Sequence, residues 1–229
     1  MLEKRRDVAS DGPGLPERRP VSASRPSVRF QRKDTEQYHV CLSAPGISRV
    51  DERRFAASLM DAIVGGSASS RLFQEIREKR GMAYSVYSYS SQYSDSGQVG
   101  LYVGTRDENL PDCLEIAVRE LSDVASGNVR ADELARAKEN LKGRMLLSLE
   151  STSNRMSRLG KSLITGSELL SLEELVERVD AVTADEVAEV AGDLLRLDRL
   201  SAAGIGPSEA RFKAAVQRVN PALVGRKAA

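Results

Sequence analysis

The sequence contains no tryptophan, one histidine, two cysteines and only 4% aromatic residues. Each shortage excludes something. An H-E-x-x-H or H-x-x-E-H zinc motif needs two histidines, and His39 is the only one. Cys41 and Cys113 lie far apart and form no C-x-x-C pair, so they read as reduced, partly buried thiols rather than a disulfide or metal ligands. No apolar run approaches the ~18 residues of a membrane span. The N-terminal stretch "MLEKRRDVASDGPG" lacks the apolar segment of a secretory signal. The cytoplasm is therefore the expected location, with no membrane partner. A net charge of +1 without tryptophan argues against nucleic acid, which needs clustered cations or stacking platforms. There is no Gly-rich phosphate loop and no G-x-S-x-G elbow.

What the chain does have is organised unevenly. Residues 1–35 hold four of the eight prolines and many arginines without helical or strand period, and read as an extended linker. From Tyr38 to Ala44 the apolar Val40 and Leu42 alternate with His39 and Cys41, which predicts a strand. "VDERRFAASLMDAIVGG" predicts a helix stopped by Gly65-Gly66, and a second helix carries Leu72, Phe73 and Ile76 up to Gly81. Two strands, Ala83–Tyr93 and Gln98–Thr105, then form a hairpin about "DSG". In the second, Gly100 and Gly104 leave one face thin beside Tyr102, open to a ligand or another backbone.

The remainder is mostly helical. A helix around "CLEIAVREL" is followed by one long helix from about Asp132 to Thr165, whose Leu134, Leu141, Met145, Leu149, Met156, Leu159 and Leu163 fall near the 3.6 period. Two capping boxes follow, Ser171 with Glu174 and Thr183 with Glu186. A strand at Arg199–Gly206 closes the domain 36–206, and 207–229 form a last helix and a basic tail. This order predicts an α+β fold, an antiparallel sheet with helices packed on one face.

The candidate chemistry is narrow. Carboxylates are scattered on helix faces, and no pair of them stands out as an acid and base. Arg77, near the end of the second helix, and Tyr84, at the start of the next strand, meet at a helix-stop-strand corner. An Arg fork and a phenol are both hydrogen-bond donors, suited to a peptide carbonyl or its oxyanion. Spacing alone leaves open that Arg77 pairs with a nearby Glu and Tyr84 merely packs.

The stretch "GGSASSRLFQEIREKRGMAYSVYS", with "YHVCLSAPGI", "FAASLMDAIVGG" and "ADELARAKENLKGRMLLSLES", resembles the C-terminal half of the insulinase (pitrilysin) zinc metallopeptidases, and within them the processing peptidases. The resemblance spans about Gln37 to Gly206. It implies an α+β unit that faces a second, zinc-bearing unit across a chamber. It also implies that Arg77 and Tyr84, seven residues apart as in the family, hold the substrate backbone. Zinc, its H-x-x-E-H ligands and the catalytic base are then expected on a missing N-terminal half or a separate subunit. No metal ligand or catalytic residue is assigned here. The implied partners are a peptide or unfolded-protein substrate and that zinc-bearing half. The alternative is a non-catalytic partner subunit or dimeric scaffold of the same fold. The front linker fits an internal start at Met1 or a truncated product. The chain is expected to hydrolyse nothing alone.

Overall fold

A computed structural model describes residues 25–224. Five strands form one sheet in the order β1-β5-β2-β4-β3: β1 Val28–Arg32, β2 Tyr38–Gly46, β3 Ala83–Gln92, β4 Gly97–Thr105 and β5 Ser201–Gly206. The central β2 runs antiparallel to both β4 and β5, and β3 is antiparallel to β4. Helices α1 Arg54–Val64, α2 Leu110–Ala125, α6 Ala184–Leu194 and α7 Glu209–Val219 bury one face of this sheet. Helices α3 Ala131–Glu150, α4 Thr152–Thr165 and α5 Leu172–Ala181 lie further out.

The alternation in β2 decides the sheet's orientation. Tyr38, Val40, Leu42 and Ala44 are buried, while His39, Cys41 and Ser43 are half-buried on the opposite side. In β4, Val99, Leu101 and Val103 join the same core. A strand's period of two makes each such sequence a two-faced object, and the helices cover only the apolar face.

The linker reading of 1–35 changes where it can be checked. Residues 1–24 lie outside the described residues. Val28–Arg32, however, forms β1, which pairs parallel with β5 and makes an edge of the sheet. The parallel pair adds to the antiparallel sheet and makes it mixed. Its apolar signal is only Val28 and Phe30, too short to stand out among arginines. Phe30 is fixed by tertiary packing: its ring stacks on Phe212 of α7 at 5.0 Å. Helix α7 is therefore no appendage, since Phe212 is wholly buried.

The single long helix is also two helices. The backbone at Ser151 turns extended (φ −79°, ψ 124°), and the Ser151 hydroxyl accepts from Asn154 N–H to cap α4. The apolar period continues across the break, which hides it in the sequence. Beyond the break the period points the wrong way for a core: Met156, Leu159 and Leu163 are exposed. Both capping boxes form as read, at Ser171 and Thr183.

Candidate functional site

The corner between the second helix and β3 is built from local signals. Phe73–Glu78 winds as a π-helix, a wider turn that recurs at functional sites. Ile76 anchors it in the core. Gly81 ends it at φ +61°, a left-handed conformation open to glycine without strain. Between Ala83 and Ser85 the ladder with β4 slips by one residue, leaving Tyr84 as the extra residue of a β-bulge. Ala83 and Val86 face the core on either side of the slip, so Tyr84 and Ser85 both turn outward.

Arg77 and Tyr84 meet there. Arg77 Nη1 donates to the Tyr84 carbonyl oxygen at 3.0 Å. The guanidinium lies 4.7 Å from the Tyr84 ring and 4.7 Å from the Phe73 ring, so it is stacked between two aromatics. Glu78 Oε1 stands 3.6 Å from Arg77 Nε, on the outer side. The Tyr84 side chain is 75% exposed, and among the described residues its hydroxyl makes no hydrogen bond. The pair thus keeps spare donors: the phenol O–H and those guanidinium N–H groups not used on Tyr84.

The open face of the sheet continues from this corner. Tyr87, Tyr102 and His39 form a diagonal row over β3, β4 and β2. The Tyr87 and Tyr102 rings stack at 5.0 Å, and Tyr102 Oη lies 2.6 Å from His39 Nδ1. Burial pushes the Tyr102 phenol and the Cys41 thiol above their ordinary values, with the neighbouring Tyr87 and Cys41 adding to the effect on Tyr102. Both groups therefore stay protonated at neutral pH. The thin glycine face is filled rather than vacant. A Cβ on Gly100 would sit 2.7 Å from the Tyr89 ring, and one on Gly104 would sit 2.9 Å from Tyr102 Oη. The missing side chains at these glycines leave the space that the Tyr89 ring and the Tyr102 hydroxyl occupy.

These residues do not fit a zinc site. His39 is committed to a tyrosine, and among the described residues no three His, Cys, Asp or Glu side chains are grouped so as to hold a metal ion. The carboxylates, read as scattered, do converge elsewhere. The Arg71 guanidinium, mostly buried, binds Glu133 at 2.8 and 2.9 Å and Asp123 at 2.6 Å. Asn128 O accepts from it too, and Glu120 stands 3.8 Å away. This cluster ties the π-helix to α2 and α3. The partners lie some fifty to sixty residues from Arg71 in sequence, so no local pattern reveals them.

A family profile described as the Peptidase M16 inactive domain matches residues 4–141. An uncharacterized zinc protease of Streptomyces coelicolor is 45% identical over 180 residues, covering 79% of this chain and 39% of that protein. One from Bacillus subtilis is 39% identical over 168 residues, covering 73% of this chain and 41% of its own length. The chain thus spans about two-fifths of the relatives it matches. Among solved structures, the peptidase M16 inactive domain from Pseudomonas fluorescens superimposes with a TM-score of 0.78 at 26% identity, covering 86% of this chain and 47% of that one. A protease from Helicobacter pylori shares the fold, with a TM-score of 0.75 at 17% identity.

Proposed function

Because the chain belongs to the peptidase M16 inactive-domain family, we propose that it is the substrate-holding half of a zinc-dependent endopeptidase of the processing-peptidase type. Its own residues bind the peptide and do no bond-breaking. Zinc and its ligands belong to another half or subunit, and the chain alone hydrolyses nothing.

The observation that supports this reading is the stacked Arg77–Tyr84 pair at the bulge. Stacking between Phe73 and Tyr84 and the bond to the Tyr84 carbonyl fix the guanidinium before substrate arrives, so little side-chain freedom is lost on binding. The remaining Arg77 N–H groups and the Tyr84 O–H then offer two kinds of donor to one peptide carbonyl. Donors held in place are most effective when negative charge develops on that oxygen as it becomes tetrahedral. The neutral tyrosine face beside the pair gives the rest of the peptide an uncharged, aromatic wall.

Tyr84→Phe removes one donor and keeps the ring that supports Arg77. In the assembled enzyme kcat should fall at least tenfold, towards the hundredfold or more typical of one lost oxyanion donor, about 2.7–4 kcal/mol. The fold, followed by circular dichroism, should not change. An unchanged kcat would make Tyr84 a packing residue.

A further inference from the structure

Helix α4 is inside out. Its inward side is polar: Ser162 is 6% exposed, Arg158 donates to the Leu170 carbonyl, and Thr165 is half-buried one turn on. A cleft of about 280 Å³, lined by Arg158, Ser162, Ser167 and Glu168 among others, lies beneath it. Its outward side is apolar. Met156, Leu159 and Leu163 recur at helical spacing and are 68%, 45% and 72% exposed, and Ile164 beside them is 80% exposed. Leu147, near the end of α3, is also 67% exposed. An amphipathic helix normally turns its apolar stripe to a core, and a contiguous exposed patch marks an interface.

We propose that this stripe is the docking face for the zinc-bearing half that the longer relatives carry, which must present an apolar groove edged by carboxylates. The inference rests on the reading of this chain as half of a peptidase. Two facts select the occupant. The first is length: the chain covers only 39% and 41% of its relatives, so most of each relative lies outside the part seen here. The chain's remaining residues are poor covers. Residues 225–229, "GRKAA", add only cations, and 1–24 scatter Leu2, Val8, Leu15 and Val21 through a charged, proline-rich stretch. The second is charge. Between Thr152 and Thr165 the helix holds Arg155, Arg158 and Lys161 and no acidic residue. A two-fold contact would set this stripe against itself, bringing the cations of one copy against those of the other with no acidic residue in either helix to answer them. A partner with an acidic rim has no such conflict.

The test co-expresses this chain with the portion of the Streptomyces coelicolor protease that it does not match, and reads the complex by size-exclusion chromatography with light scattering. The chain alone should run as a monomer, and the pair as a one-to-one complex. Leu163→Glu and Ile164→Glu change exposed positions, so the variants should keep the wild-type circular dichroism and weaken the complex at least tenfold. Tyr84→Phe should leave it intact, which separates docking from substrate holding: loss of kcat without loss of complex, or the reverse, tells which reading failed. No complex, or one indifferent to both glutamates, overturns the proposal. So does a homodimer abolished by Leu163→Glu, or Leu163-dependent binding of the chain to phosphatidylglycerol vesicles.

Discussion

Helices α2 and α4 are both amphipathic, and they face opposite ways. In α2 the apolar residues Leu110, Leu114, Ala117, Leu121 and Val124 are buried between the sheet and α6 and α7. In α4 the corresponding stripe looks outward, and Ser162 is the residue that is buried. The two sequences carry the same kind of pattern. What differs is the neighbour: α2 is pinned between several elements, whereas α4 leans mainly on α3. Periodicity therefore says that a face will be buried, and tertiary contacts say against what.

Substitutions can break this contrast. The largest effect is expected where α2 and α3 meet the π-helix. Arg71→Ala leaves Glu133 buried without its cation, and breaking a buried pair in that way costs about 3–5 kcal/mol. Within α2, Leu114→Ala should cost about 2–5 kcal/mol through lost burial and a residual cavity. Both should appear as lower urea midpoints. Leu163→Gln in α4 is the matched counter-test. It should change stability by no more than about 0.5 kcal/mol, the ordinary range of a surface site. A cost near that of Leu114→Ala would mean that α4 packs inward after all.

A pH series gives a subtler contrast on the inward side. Burial raises the Asp61 carboxyl pKa; the Ser88 hydroxyl, which donates to Oδ1 at 2.6 Å, and the Arg144 charge oppose the rise. The folded state therefore holds the Asp61 proton more tightly than the unfolded chain does. Over the window from the unfolded value, about pH 4, up to the raised folded value, folded protein binds more protons and stability falls as pH rises. Asp61→Asn keeps an acceptor for Ser88 and removes this slope. The variant should gain on wild type as pH rises through that window, in urea titrations at several pH values. A wild type that gains on the variant instead would reverse the sign.

The same contrast explains what the sequence disclosed. Strands β2 to β5 were legible because alternation at Val40, Leu42, Val99 and Leu101 reports burial on one face. Capping boxes at Ser171 and Thr183 were legible because their chemistry is local. Strand β1 was not, since it depends on Phe30 finding Phe212 across the fold. The break at Ser151 was masked by an apolar period that runs through it. At the candidate site, the meeting of Arg77 and Tyr84 followed from a short helix-stop-strand corner. The bulge that turns Tyr84 outward is a property of the pairing with β4, and the tyrosine ring over Gly100, that of Tyr89, belongs to the neighbouring β3. Neither leaves a mark along one strand.

The most direct measurement is peptide hydrolysis by three samples: this chain alone, the half of a relative proposed above to bear zinc, alone, and the two combined. No turnover is expected from the chain, little from the zinc-bearing half, and a rate in the mixture that rises with added chain until the two are equimolar. Robust zinc-dependent turnover by the pure chain, or a mixture no faster than the zinc-bearing half, would contradict that expectation.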